Sequence, residues 1–555
     1  MRHRLAGSIS ILLLSLGLAA PVRGANSSLP SFLTQGGRVR VGEEIETLRE
    51  TSHPYSGWPG ERAEKVWSEE IYYPGAAYIA PHFSRFHLAP GDSVIVRSPD
   101  GSRSWKYEGF GNGELGKGPD GFWGIHIPGE TAVIELYSHN PAGGYGYKID
   151  RFARGFRRDE MDQAALGAEA ICGVDDSNWA KCYQSSEPLI YSKSRAVARL
   201  LIAGTSACTG WLLGSQGHVI TNQHCIGSST DAANTNFEFM AEGATCSTSC
   251  NSWFGCPGTV VATTSTLIKS DAPRDYALVK LPSNPTGTYG FLQFRSNGAV
   301  VDERIYVPQH PQAWGKRIAV FSTAAQDQSG YAEVYSLTEP ACQTGGPADV
   351  GYFADTEGGS SGSPVLGYND HLVVALHHCA NCPNRGVPAQ SIISHLGASM
   401  PAMGVGWTVF TTQLPAEVLD AGGTSWSVGN DITPSSNGTF THLRYYKAAG
   451  EDGVHTLKLW NLAGTLLASG TADFGFGKPA GWVTVDIPDQ AVTAGTTYRV
   501  SVTTYTKQSK TSCGLSPAIT NGPLTASGGA WLEGDGVFPT TGSCSNFWTD
   551  VVFVR

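Results

Sequence analysis

Where the hydrophobic pattern of this chain is regular, it repeats every second residue rather than every three or four. Ala77-Tyr78-Ile79-Ala80, Ser93-Val94-Ile95-Val96 and Ala132-Val133-Ile134-Glu135-Leu136 are short runs of this kind, and Pro90-Gly91-Asp92 and Pro99-Asp100-Gly101 punctuate them. The stretch from Glu69 to Phe152 therefore predicts an antiparallel β-domain. From Ile171 to Leu414 the pattern again predicts strands, and the persuasive helical spacing is Val387–Leu396, after the turn Pro383-Asn384-Arg385-Gly386. A third block (His442–Tyr446, Thr456–Trp460, Trp482–Ile487, Tyr498–Tyr505, Phe547–Val554) alternates aromatic and β-branched residues with polar ones, as a β-sandwich does. The segment Leu414–Gly429, rich in Gly, Ser and Thr, reads as a linker. The expected organisation is an N-terminal β-domain over 26–165, a central domain over 166–418, a linker over 419–429 and a C-terminal β-sandwich over 430–555. A chain of 555 residues is long enough for three such units, each with its own core.

The first 25 residues change the picture of where the chain works. Arg2 and Arg4 precede an apolar run from Ile9 to Ala20, and the small residues Gly24 and Ala25 follow, as in a secretory signal peptide. That run is shorter than the roughly 20 residues a membrane span requires, and no later segment is long and apolar enough. The mature chain is expected to be extracellular, with no membrane span. Its 12 cysteines are then expected to be disulfides. Ten lie between Cys172 and Cys382, Cys513 and Cys544 form the natural pair of the last domain, and the first 171 residues have none. With 38 basic and 48 acidic side chains the net charge is −10, which argues against a nucleic-acid partner.

Three motifs in the central region carry candidate chemistry. Ile220-Thr221-Asn222-Gln223-His224-Cys225 ends an apolar strand. Arg274-Asp275-Tyr276-Ala277-Leu278-Val279 places an acid at the start of another. Gly358-Gly359-Ser360-Ser361-Gly362-Ser363-Pro364 precedes the apolar run Leu372–Leu376. Attack on an amide needs a hydroxyl, a base within reach and a carboxylate that holds the base in the right tautomer. It also needs backbone donors for the oxyanion, and glycine before the serine lets the backbone approach. Each motif alone has a bland reading, as a core histidine, a turn aspartate or a Gly-Ser loop. Their order, His then Asp then Ser, in a disulfide-rich β-domain makes the combination specific.

The region from Cys172 to Leu414 resembles the trypsin-like serine peptidases of bacterial type, and most of all the lysyl endopeptidases. The carrying residues include Cys208-Thr209-Gly210 with His224-Cys225, Asp275-Tyr276-Ala277-Leu278, His310-Pro311 with Lys316-Arg317, and Thr356 to Pro364. The resemblance implies a mostly β fold with a chymotrypsin-like double β-barrel, acting as a serine endopeptidase of the EC 3.4.21 type without a cofactor. It implies Ser361 as nucleophile, His224 as general base then acid, Asp275 as orienter, and the N–H groups of Gly359 and Ser361 as oxyanion hole. It also implies the disulfides Cys208–Cys225 and Cys172–Cys382, and makes His310 a structural loop residue. Two departures limit it. Ser360 stands where digestive trypsins carry the Asp that pairs with a freed N-terminus, and 383–395 holds no acid where lysyl endopeptidases carry their pocket Asp.

Asp355, six residues before Ser361, has the offset of the pocket Asp of trypsins and would pair with a substrate Arg or Lys, or else brace a turn. His377 and His378 lie on the strand expected to line the pocket and could narrow it or recognise an acidic side chain. With Cys379 and Cys382 they have a metal-ligand spacing, but one Cys-x-x-Cys pair in an exported chain favours disulfides, so no metal is expected. Cys182 is expected to bond within the Cys246/Cys250/Cys256 group. Asn26 and Asn437 begin glycosylation sequons. With Leu443-Arg444-Tyr445-Tyr446-Lys447, Gly481-Trp482, Ala494-Gly495-Thr496-Thr497-Tyr498, Asn521-Gly522-Pro523-Leu524 and Trp548-Thr549-Asp550-Val551-Val552-Phe553, the last domain resembles an uncharacterised β-sandwich family of bacterial surface and carbohydrate-associated proteins. There Trp460, Trp482 and Trp548 would either stack on a surface glycan or fill the core. The N-terminal domain reads as a zymogen propeptide released after Arg157 or Arg158, or as a retained binding domain. The partners expected are peptide or protein substrates. The competing reading is a secreted adhesion or glycan-binding protein that keeps a protease fold without catalysis.

Overall fold

The computed structural model describes residues 38–60, 62–112, 121–157, 160, 169–328, 330–402, 406–451, 453–474 and 480–554. The signal-like segment, Asn26, Arg158 and the expected boundary at 165/166 lie outside them. The chain is mostly β, a central double-sheet unit with a β-domain on either side.

The N-terminal unit is two facing antiparallel sheets. One pairs Gly42–Glu50, Gly146–Gly155, Tyr78–His87 and Phe122–Trp123; the other pairs Glu64–Tyr72, Thr131–Ser138, Ser93–Arg97 and Ser104–Glu108. Alternation along each strand sends residues such as Ile79, Phe83, Val94, Ile134 and Ile149 into the shared core.

In the central unit the first sheet runs Thr259–Ala262, Thr235–Phe239, Val197–Ile202, Ser206–Leu213, His218–Thr221, Tyr276–Lys280, Thr266–Asp271. The second runs Asn178–Trp179, Arg317–Ala319, Ile305–Gln309, Pro364–Gly367, Val373–Cys379, Asn384–Pro388, Asp349–Tyr352, Val334–Glu339. Neighbours within both are antiparallel. The inner strands Val197–Ile202 and Ser206–Leu213 are buried throughout because both of their faces are covered, whereas outer strands such as Thr266–Asp271 and Val334–Glu339 keep exposed positions. The helix expected over Val387–Leu396 spans Ala389–Leu396, since Val387 and Pro388 are taken by the strand Asn384–Pro388. Short helices at Pro188–Ser194 and Ser229–Ala233 have too few turns to show a period in the sequence.

The C-terminal unit packs Trp426–Pro434, Val454–Asn461, Leu466–Asp473, Tyr498–Thr504 and Leu524–Glu533 against Gly438–Lys447, Gly481–Val492 and Thr549–Val554. The linker expected over 419–429 is not one. Glu417–Asp420 pairs with Lys507–Lys510, and Trp426–Pro434 lies between two partners in the sheet, because its Val428 and Ile432 are core residues despite the Gly and Ser around them. Trp460 and Trp548 are buried, their indole N–H groups donated to Ser501 and Thr511. Trp482 stacks on Phe410 with the Arg444 guanidinium over its ring. These rings fill and edge the core, the second of the two readings open for them.

The N-terminal unit does not hang from a tether. Val39–Arg40 adds a strand to Ser206–Leu213, and Val39, Val41, Tyr78, Trp123 and Phe156 share one core with Leu201, Ala207, Trp253 and Phe254. Gly204, in the left-handed region at φ +71°, has no room for a side chain: a Cβ there would lie 2.7 Å from the ring of Trp123. The seam also holds buried charge. Glu238 accepts from Arg199 at 2.7 Å and from Arg103 of the N-terminal unit at 2.5 Å. Burial pushes the Glu238 carboxyl up, but the two guanidiniums outweigh it and hold the group well below the usual range.

Candidate active site

His218–Thr221 carries the chain into the site, and Cys208–Cys225 ties the residue after His224 back to the neighbouring strand. Asp275 precedes Tyr276–Lys280 in the left-handed region at φ +43°, with its carbonyl held by the Asn222 amide at 2.8 Å. That backbone turns the carboxylate onto His224. Oδ1 accepts from the His224 backbone N–H at 2.9 Å and Oδ2 lies 2.7 Å from its Nδ1, while Nε2 has no hydrogen-bond partner. The ring is thereby fixed in position and in the tautomer that leaves Nε2 free to accept. Burial raises the Asp275 carboxyl, but hydrogen bonds and charge from His224 and His378 win and hold it below its usual range.

The Ser361 loop is built on two glycines. Gly359 and Gly362 have φ of +93° and +89°, and a Cβ at Gly362 would lie 2.1 Å from the carbonyl of Thr209. Thr209 spans the loop, its N–H donating to the Ser361 carbonyl and its hydroxyl to that of Gly359, both at 2.9 Å. Ser360 turns inward and donates to Gln309, so it is bound in the interior where trypsins carry an acid. The Cys225 sulfur lies 3.9 Å from the Ser361 carbonyl, which brings the histidine and serine motifs side by side.

The remaining expected residues divide. His377 is buried, with Nδ1 2.7 Å from the Tyr352 hydroxyl, and burial lowers it to about 3. His378 touches the site itself, with Nδ1 3.2 Å from Asp275 Oδ2 and Nε2 3.0 Å from Asp349 Oδ2. Asp355 is buried, and its two oxygens accept from the backbone N–H groups of Cys172 and Asp176 at 2.9 and 2.7 Å. The cysteines pair as Cys172–Cys382, Cys182–Cys246, Cys208–Cys225, Cys250–Cys256, Cys342–Cys379 and Cys513–Cys544. Cys379 and Cys382 therefore offer no thiolate to a metal. His310 is buried with Nδ1 3.0 Å from the Trp314 carbonyl.

Sequence reasoning did not single out Asp349, Gln343 or Arg38. Arg38 donates to the His224 carbonyl at 2.7 Å and pairs with Asp231 at 3.1 Å, so the N-terminal unit reaches the site. The adjacent histidines after the serine motif were the available signal for an acid across the sheet.

The sequence signature of the trypsin-like peptidase domain matches residues 208–376, and a domain of unknown function (DUF4082) matches 412–549. The Secreted RxLR effector protein 73 of Plasmopara viticola is 41% identical over 334 residues, covering 58% of this chain and 79% of the effector. The chain belongs to the family of this effector. Solved structures similar to part of it include a Glu endopeptidase in complex with MPD (17% identity, 41% of this chain and 98% of that one, TM-score 0.29). Deg5 is 15% identical over 40% of this chain and 98% of its own, with TM-score 0.29. The serine endoprotease from Yersinia pestis is 13% identical over 39% and 66%, with TM-score 0.28. The segment that matches the trypsin-like peptidase domain contains His224, Asp275 and Ser361 and stops one residue short of His377.

Proposed function

We propose that the protein is a secreted serine endopeptidase in which Ser361, His224 and Asp275 form the catalytic triad. The observation that carries this reading is the clamping of His224 by both oxygens of Asp275, with Nε2 left unpartnered next to the Ser361 loop. In the reaction the Ser361 hydroxyl attacks the scissile carbonyl carbon and its proton passes to His224 Nε2. The amides of Gly359 and Ser361 receive the oxyanion, and the proton then moves to the leaving amine as the C–N bond breaks. Water repeats the sequence to release the acid. Export is supported by the signal-like N-terminus, the six disulfides and the name of the secreted relative. A peptide-library digest with the secreted chain and with Ser361→Ala tests the reading: cleavage by the first and not the second supports it, and equal silence favours the non-catalytic adhesion protein.

The environment of Asp355 supports a brace for the segment after Cys172, since both carboxylate oxygens are already engaged by amides. Asp355→Asn is therefore expected to leave the residue preferred before the cut unchanged in that digest. Loss of an Arg or Lys preference would instead make Asp355 the pocket acid.

The shared core and the Arg103–Glu238–Arg199 seam support an N-terminal domain that is retained rather than shed. No cysteine lies in the first 171 residues, so any retention is non-covalent. After proteolytic nicking at Arg157 or Arg158 the two fragments are expected to co-elute on size exclusion at neutral pH. Separation of the pieces with an active larger fragment would restore the propeptide reading.

A further inference from the structure

We propose that His378 is a positioning residue, a second and cationic imidazole on the carboxylate of Asp275 that, together with Asp349, sets the basicity of His224. The proposal rests on the triad reading and extends it. Asp275 Oδ2 faces two rings at once, His224 Nδ1 at 2.7 Å and His378 Nδ1 at 3.2 Å, and the other nitrogen of His378 faces Asp349 Oδ2 at 3.0 Å. An ionised carboxylate only accepts, so a ring with a carboxylate at each nitrogen satisfies both contacts only as the doubly protonated imidazolium. The side chains of Asp275, His378 and Asp349 are each 1% exposed, so water cannot substitute for this pairing.

The charged and titratable groups around the ring are Asp275 from the turn before Tyr276, Asp349 at the start of Asp349–Tyr352, His224 beyond Asp275 and the neighbour His377. His377 is kept neutral by burial, and the two carboxylates outweigh burial at His378 and raise it to about 9. Asp349 is anchored by the Cys342 backbone N–H at 3.0 Å, and Cys342 is disulfide-bonded to Cys379, the residue after His378. The Gln343 amide reaches Asp275 Oδ2 at 3.4 Å. Two buried carboxylates and one buried imidazolium leave a single net negative charge beside the His224 ring, a charge that is balanced when His224 takes the serine proton. Without the cation, the carboxylate of Asp349 would be left uncompensated behind that of Asp275, and the negative charge beside the His224 ring would double.

Charge balance separates this role from simple packing. The test is NMR titration of the histidine rings in the full chain carrying Ser361→Ala, with the pH profile of peptide hydrolysis in the matching Ser361 chains. In the reference chain His378 is expected to stay protonated through pH 7. His378→Gln removes the cation and should move the His224 midpoint, and the acid limb of hydrolysis, up by about one pH unit. Asp349→Asn removes an acid and should move both down. The double variant His378→Gln/Asp349→Asn restores the single negative charge and should bring both back toward the reference. If His378→Gln does not fold, Asp349→Asn alone still decides by the direction of its shift. A His378 ring that is neutral at pH 7, an unmoved His224, or a double variant shifted further than either single one would overturn the proposal. The titration does not require turnover, so an inactive chain with the expected ring shifts would count against the peptidase reading and not against this one.

Discussion

Replacing Ser361 with alanine is expected to lower peptide hydrolysis by about ten thousand- to a million-fold while leaving the melting temperature unchanged within error. The size follows from what is lost. Without Oγ there is no acyl-enzyme, and the residual rate is what binding and the oxyanion donors supply to direct attack by water. Stability should be spared because the Ser361 backbone, not its side chain, is held in the loop: its carbonyl accepts from Thr209 N–H, and Gly359 and Gly362 set the turn. Progress curves on a fluorogenic peptide with thermal melts of both chains measure the two quantities together. A fall below tenfold would mean that the hydroxyl is not the nucleophile.

The second large effect lies at the seam between the N-terminal unit and the protease sheets. Glu238→Gln is expected to destabilise the chain by roughly 3–5 kcal/mol, because removing one partner of a buried ion group leaves its cations uncompensated. Two cations are affected. Arg199 is fully buried, with one guanidinium nitrogen on the carbonyls of Gly255 and Ala313 and the other two on Glu238. Arg103 reaches the same carboxylate from the other unit. Because the folded Glu238 carboxyl lies below its unfolded value, its stabilisation is present above the ordinary glutamate range and is lost as pH falls through the folded value. Urea denaturation at pH 7 measures the effect, and a change under 1 kcal/mol would show that the seam does not depend on this charge.

The motifs that were legible in the sequence are those written in contiguous residues. His224-Cys225, Asp275-Tyr276 and Gly359 to Pro364 each carry their local geometry with them, since the neighbouring glycines, cysteine or strand determine how the functional side chain is presented. Alternation likewise announced the strand Ser93–Arg97, whose Val94 and Val96 are buried while Ile95 and Arg97 are only partly so, and the largely apolar run announced Thr131–Ser138, buried from Ala132 to Leu136. Contacts made across a sheet were hidden. Asp349 meets His378 because two strands flank Asn384–Pro388, and nothing in a linear stretch of 29 residues encodes that meeting. Asp355 illustrates the converse: its offset from Ser361 left a pocket acid and a turn brace both open, because an offset along the chain does not determine which way a carboxylate turns. In the fold both oxygens accept from backbone N–H groups. Val39–Arg40 is too short to show a period, yet it joins the first unit to the protease sheet. The Gly- and Ser-rich stretch before Ile432 was misread because composition outweighed the alternate apolar positions that make it a strand.

The central claim is that His224 and Asp275 activate one serine. Its most direct measurement is labelling of the purified chain with a fluorophosphonate probe, followed by peptide mass mapping of the adduct. The account predicts a single phosphonylated residue, Ser361, with labelling abolished in Ser361→Ala and strongly slowed in His224→Ala. A folded chain that takes up no probe, or takes it up equally at other serines, would contradict it.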